Sequence, residues 1–351
     1  MGMLDGPAFA TAQSGGVSSL YPTSFSSNRK FILTQKFATL FGLLLIGEVA
    51  SLAYIGGIAE IAVLTGIAYI LFPELAALAY DIFTRPEGTW AKAPIMLMLT
   101  PLLTSIIGIL IEQNLGYSVV SILLAIIAAL LVIKLLKSPI APAISAGLLP
   151  IVMEEKSWWF PASILLGTSL LVLCLFIFRK VFSKHISKTK ILENIIDDIV
   201  EQPPKQYSWL PYFSIFLLVD IYLAKLTGFR FITFPPLIVI AFEMFAHSDV
   251  CPWANKPVLL VIACMLTASA GVGVVMVLGT GPMAAILAVA FSMSIIRIFK
   301  LHAPPAVAVG LLPFVMSHPD FRFPIAVGTG TLILAATFII YRVYALPKAG
   351  N

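Results

Sequence analysis

Residues 119–136 read VVSILLAIIAALLVIKLL, eighteen positions with Lys134 as their one charge. Hydrocarbon offers the backbone no water to bond. A run of roughly 17–25 apolar residues is therefore admissible there as a helix that satisfies its own N–H and C=O groups. Residues 41–55, 95–111 and 160–178 approach or reach that length, and similar runs continue through the chain. The alternation that a closed barrel requires is not visible. With 60% hydrophobic and 11% charged residues, against about 25% charged in soluble domains, the chain is expected to be all-α, a polytopic helical membrane protein.

A repeat organises these runs. SPIAPAISAGLLPIVM at 138–153 returns as HAPPAVAVGLLPFVM at 302–316. Leu64-Thr65-Gly66 recurs as Leu226-Thr227-Gly228, Phe72-Pro73 as Phe234-Pro235 and Phe83 as Phe245, at an offset of 162. One inserted residue makes the offset 163, and Trp90, Pro94, Thr104, Gly108 and Gly116 recur as Trp253, Pro257, Thr267, Gly271 and Gly279. Pro142, Gly147, Pro150, Met153, Phe160-Pro161 and Gly167 follow as Pro305, Gly310, Pro313, Met316, Phe323-Pro324 and Gly330. Register held over this distance marks an internal duplication. The copies are 29–182 and 208–346, each with five clear spans plus the proline-bracketed phrase.

Residues 1–28 are rich in Ser, Gly, Thr and Ala without an apolar core, so they read as a disordered tail rather than a secretory signal. Residues 347–351 form a short C-terminal tail. In the connector, 183–207, Ile191, Leu192, Ile195, Ile196, Ile199 and Val200 fall at helical spacing opposite Glu193, Asp197, Asp198 and Glu201, which predicts one cytoplasmic amphipathic helix. Cys174, Cys251 and Cys264 lack metal-ligand or disulfide spacing, and no cofactor or metal is expected.

Basic residues decide how many times each copy crosses. If the phrase crosses, 18 of the 22 Lys and Arg residues share one side and only Lys156, Lys225, Arg230 and Arg322 lie opposite. If it dips in and out, the split is 12 to 10 and the positive-inside bias vanishes. The expectation is therefore about twelve transmembrane segments in two parallel six-segment repeats, both termini cytoplasmic, in a bacterial inner membrane. The phrase is short for a span, since about 15 residues at ~1.5 Å each reach only ~23 Å. It must be shielded from lipid by the rest of the protein.

Pro142 and Pro304-Pro305 suit the first turn of a helix, where a missing N–H costs nothing. The amides after them, at Ala143, Ile144 and Ser145 and at Ala306, Val307 and Ala308, are expected to face a small anion. Lys134 with Lys137, and Arg297 with Lys300, precede the phrases as candidate vestibule cations, with interfacial anchoring as the plainer role. Thr104-x-x-x-Gly108 and Thr267-x-x-x-Gly271 have the spacing of close helix packing or of hydroxyls lining a pathway. Asp81 and Glu243, followed one turn later by Arg85 and His247, read as helix-surface bridges or proton relays. Glu48 and Asp220, inside the first span of each copy, are candidate proton carriers. His302 stands where the second phrase begins and is a candidate pH-responsive group.

The stretch Leu301-His302-Ala303-Pro304-Pro305-Ala306, with its apolar continuation and the Pro324-led final span, resembles the HPP family of integral membrane proteins. The region from Phe234 through Pro252-Trp253 to Tyr344 is similar to that family's unit, and through the repeat so is most of the first copy. Ala303 separates the histidine from the prolines, and Pro139 stands where the first copy would carry that histidine. The resemblance implies small-anion transport, since a plant branch is associated with nitrite movement across the plastid envelope. A member of that family normally holds one unit and can associate with itself, so this chain resembles two tandem HPP-like units fused in one, with a homo-oligomer as a further expectation.

The favoured expectation is a transporter or channel for a small inorganic anion, nitrite or nitrate first, with its site between the copies. The alternative is a non-transporting scaffold or accessory subunit. An enzyme is not expected: G-x-S-x-G and H-E-x-x-H are absent, and His185, His247, His302 and His318 are dispersed. The expected partners are the bilayer, the anion and a second copy, with no nucleic acid.

Overall fold

The computed structural model describes residues 24–186, 204 and 207–345. The residues carrying the predicted connector helix, the tail up to residue 23 and the C-terminal tail lie outside the described residues. The chain divides into two units, Met1–Phe41 and Gly42–Asn351. What is described of the first unit is helical from Ser24, so the last residues assigned to the disordered tail are helix. Everything below concerns the second unit.

Among the described residues the secondary structure is helical, with no strand. The long helices are α1 (Ser24–Thr65), α4 (Pro94–Leu115), α5 (Val119–Leu136), α7 (Trp159–Ile186), α8 (Leu210–Thr227), α10 (Pro257–Leu278), α11 (Pro282–Ile298) and α13 (Arg322–Tyr344). Seven of these eight contain spans long and apolar enough to cross a membrane; α11, at 17 residues, falls just short. The short helices are α2 (Glu74–Thr84), α3 (Thr89–Lys92), α6 (Ala143–Met153), α9 (Pro235–Ala246) and α12 (Pro304–Val309).

The long helices are apolar on both sides. On α5, Ile122, Ala125, Ile126, Ala129 and Ile133 are buried, while Val120, Leu124, Ile127, Leu131 and Leu135 are exposed. Helical spacing thus separates two faces that are both hydrocarbon. A water-soluble helix would have a polar outer face; this one is suited to lipid.

Helix ends explain where the chain turns. Pro94, Pro257 and Pro282 open α4, α10 and α11, and Gly116, Gly228 and Gly279 take positive φ after α4, α8 and α10. Lys137 and Lys300 are left-handed without being glycine. Each closes the helix before a phrase with the same pair of bonds, Lys137 N–H to Lys134 and Ser138 N–H to Ile133, then Lys300 N–H to Arg297 and Leu301 N–H to Ile296.

The first phrase runs beside α4 in the same direction. Thr100 donates to Ser138 near the start, Gly108 meets Gly147 in the middle, and Gln113 donates to the Lys156 carbonyl at the far end. Four short helices, rather than the two expected, occupy the interior. The second apolar run of each half is only 11 or 12 residues of helix, α2 and α9. Pro150 does not stop α6, which continues to Met153, whereas the second phrase breaks after Val309 into a 3-10 turn at Leu312–Phe314.

The short helices pack crosswise. α6 of the first half lies against α9 of the second, α12 of the second lies against α2 of the first, and α9 also touches α12. Residues 143–152 of α6 and 235–245 of α9 are buried throughout. Helices of ~17 Å cannot reach across ~30 Å of hydrocarbon. Their burial among long helices removes that mismatch.

Candidate functional site

The quartet of α2, α6, α9 and α12 is almost wholly apolar, so its polar groups stand out. Glu74 opens α2 directly after Pro73 and is 1% exposed. The Ser145 hydroxyl of α6 lies within reach of this carboxyl, and neither group makes a well-formed hydrogen bond. A carboxyl in this setting is costly whichever way it is protonated. Glu74 is not among the residues that the sequence singles out, because the repeat pattern rests on matched positions. The useful signal was a mismatch: at the repeat offsets Glu74 faces Pro236 and Ser145 faces Ala308.

The expected anion cradle is not formed by amides. Ala143, Ile144 and Ser145 N–H donate to Ile140, Ala141 and Pro142, and Ala306 N–H donates to Ala303. Tight turns ahead of each phrase supply these acceptors, so the helix starts are already satisfied. Ala143, Ile144, Ala306 and Val307 are 0% exposed. Pro142 and Pro305 are buried with them, Pro304 is half-buried, and His302 is exposed at the surface.

Thr104, Gly108, Thr267 and Gly271 are packing residues. A Cβ on Gly108 would overlap the Gly147 carbonyl, and one on Gly271 the Gly310 carbonyl, so each glycine lets α4 or α10 touch the phrase backbone. Thr104 donates to the Thr100 and Pro101 carbonyls, and Thr267 to that of Cys264, turning both hydroxyls back on their own helices.

The four cations are exposed and have separate roles. Lys134 stands 5.2 Å over the Tyr207 ring, Lys137 and Lys300 cap helices, and Lys300 accepts a bond from the Lys256 ammonium at its carbonyl. Arg297 reaches across to the first half and pairs with Glu48. Tyr80 lies among Glu48, Arg297, Asp81 and Arg85. Asp81 and Arg85 form the expected one-turn bridge, with Nε to Oδ1 at 2.9 Å. Glu243 is buried in the same place on α9, and its carbonyl accepts the His247 N–H.

At the opposite end Arg230 of the second half pairs with Glu154 of the first at 2.6 Å and lies 4.6 Å over the Tyr117 ring. The quartet is thus bracketed by two ion pairs that join the halves. Arg230 holds the Glu154 carboxyl below its ordinary value of 4.5 through their hydrogen bond, partly offset by desolvation. A carboxyl whose pKa is lowered on folding adds stability in full above its ordinary value, and that stability is lost as pH falls through the lowered value. The melting midpoint of wild type should exceed that of Arg230→Ala at pH 7, and the gap should close as pH falls through the lowered Glu154 value; since the pair is half-exposed, the gap corresponds to less than about 1 kcal/mol. A gap independent of pH would exclude the ion pair as its source.

Among the described residues no three His, Cys, Asp or Glu side chains gather as metal ligands. Fold and interior together define an all-helical, membrane-embedded protein with a packed core and a few buried acids. Comparison of this chain with protein-family models, curated proteins and solved structures finds no match.

Proposed function

We propose that this chain is a secondary carrier for a small monovalent anion, nitrite or nitrate first, moved together with a proton. The observation that carries the reading is Glu74, a buried carboxyl with no well-formed hydrogen bond, within reach of the Ser145 hydroxyl in a packed interior. Protonated, Glu74 offers an O–H that with Ser145 can donate to an anion. Ionised, it repels one. Anion occupancy and protonation are then linked, which is the requirement for symport.

The carrier has twelve crossings in two parallel repeats, with both termini cytoplasmic in a bacterial inner membrane, as the 18 to 4 split of basic residues favours. Ion pairs Glu48–Arg297 and Glu154–Arg230, one at each end, serve as gates that open in turn. The HPP-like stretch around His302 and Pro304-Pro305 agrees with small-anion transport. Purified protein in liposomes should take up nitrite or nitrate faster than empty liposomes, faster again with acid outside. Absence of flux for nitrite, nitrate, formate and chloride would remove the proposal.

A second reading, a membrane scaffold, is favoured by the hydrocarbon packed around Ala143, Ile144, Ala306 and Val307, all 0% exposed. The same flux measurement separates the two.

A further inference from the structure

The second half holds another set of unsatisfied oxygens, away from Glu74. Asp220 on α8 is 0% exposed and neither carboxyl oxygen has a hydrogen-bond partner. Thr233, also 0% exposed, places its hydroxyl beside that carboxylate, and the two make no well-formed hydrogen bond. A fourth oxygen is the Ile232 carbonyl. Three and four residues after Ile232 stand Pro235 and Pro236, which have no N–H, so the next helix cannot supply the bond that this carbonyl would otherwise accept.

The three residues belong to one locality. Gly330 of α13 brings a bare Cα against it: a Cβ there would overlap the Ile232 carbonyl and lie 3.2 Å from Asp220 Oδ1. A buried carboxylate, a hydroxyl beside it and a backbone carbonyl gathered at one corner are the kinds of ligand that surround a hard cation. A hard ion held at about 2.4 Å keeps its ligands further apart than donor and acceptor would be. One carboxylate balances one positive charge, which favours a monovalent ion over calcium.

The comparison between the halves argues that the fold itself does not need these groups. At the repeat offset of 162, Asp220 corresponds to Ile58 and Thr233 to Leu71, and both are buried among hydrocarbon. The first half therefore builds the same corner without a polar atom. A buried acid that the sibling corner dispenses with has a use other than packing.

We infer that Asp220, Thr233 and the Ile232 carbonyl, over Gly330, form a sodium-binding site. Interrupted backbone beside a helix, offering carbonyls within a membrane protein, is the type of structure that holds such ions. The site goes beyond the anion reading and does not depend on it, because binding is measured without transport.

The test uses the full chain purified in detergent, its melting midpoint followed while NaCl replaces N-methylglucamine chloride at constant ionic strength. The midpoint should rise saturably with sodium, by about 5 °C at a hundredfold excess over the dissociation constant. Potassium should do less, and lower pH should weaken the response because protons compete for Asp220. Asp220→Asn should abolish the sodium response, and Thr233→Val should shift it to roughly tenfold higher concentration. If Asp220→Asn does not fold, wild type and Thr233→Val still decide. Superimposed sodium and N-methylglucamine curves, equal responses to sodium and potassium, or an undiminished response in either variant would each overturn the assignment.

Discussion

Glu74→Gln should abolish the stimulation of anion uptake by an external acid pulse while preserving anion exchange across the liposome membrane. Glutamine matches the shape of a protonated glutamate and still donates, but it cannot ionise. The carrier is then fixed in the anion-accepting state and loses its link to the proton gradient. Glu74→Ala removes the donor as well, and uptake should fall more than about tenfold, the worth of one hydrogen bond to a charged group at roughly 1.5–3 kcal/mol. Stability distinguishes this role from a structural one. Neither oxygen of Glu74 makes a well-formed hydrogen bond, so the glutamine variant should melt no lower than wild type. Normal proton stimulation in Glu74→Gln would exclude Glu74 as the coupling group.

Gly271→Ala and Gly108→Ala should each sharply reduce the yield of folded protein. The added methyl would overlap the Gly310 or Gly147 carbonyl, a backbone atom that cannot rotate away. Relief requires moving a long helix from the phrase it covers. Overpacking of this kind costs about 1–3 kcal/mol, and more where backbone is involved. Gly273 is the control: it shares α10 with Gly271 but has open space around its Cα, so Gly273→Ala should change the melting midpoint little. Size-exclusion profiles and melting curves of the three variants are the comparison. Equal behaviour of Gly271→Ala and Gly273→Ala would mean that α10 and the phrase are not in backbone contact.

Hydropathy made the long helices legible. The run at 119–136 is α5 residue for residue, and Pro94 and Pro257 start α4 and α10 as their missing N–H groups favour. Local pattern could not give the pairing of the interior. Both phrases are nearly the same text, so nothing in either says that α6 meets α9 and α12 meets α2. Glu48 lacked a partner in the sequence because Arg297 is 249 residues away. The amide cradle failed for a local reason. Turns over 138–142 and at 303 supply acceptors that the proline-started pattern does not advertise. Asp220 was legible as an acid inside a span, whereas Glu74 was not, because its signal is a departure from the repeat, with Pro236 at the matching position of the other half.

Everything in the transport account depends on the proline-led segment passing from one face of the membrane to the other. Lys137 and Lys156 are exposed at its two ends. In a background with Cys174, Cys251 and Cys264 replaced by alanine, Lys137→Cys and Lys156→Cys can be labelled with an impermeant maleimide in sealed vesicles of known orientation. Two opposite faces should be marked, Lys137→Cys from the cytoplasmic side and Lys156→Cys from the other. Labelling of both from one side would mean that the segment only dips into the bilayer, contradicting the twelve-crossing account.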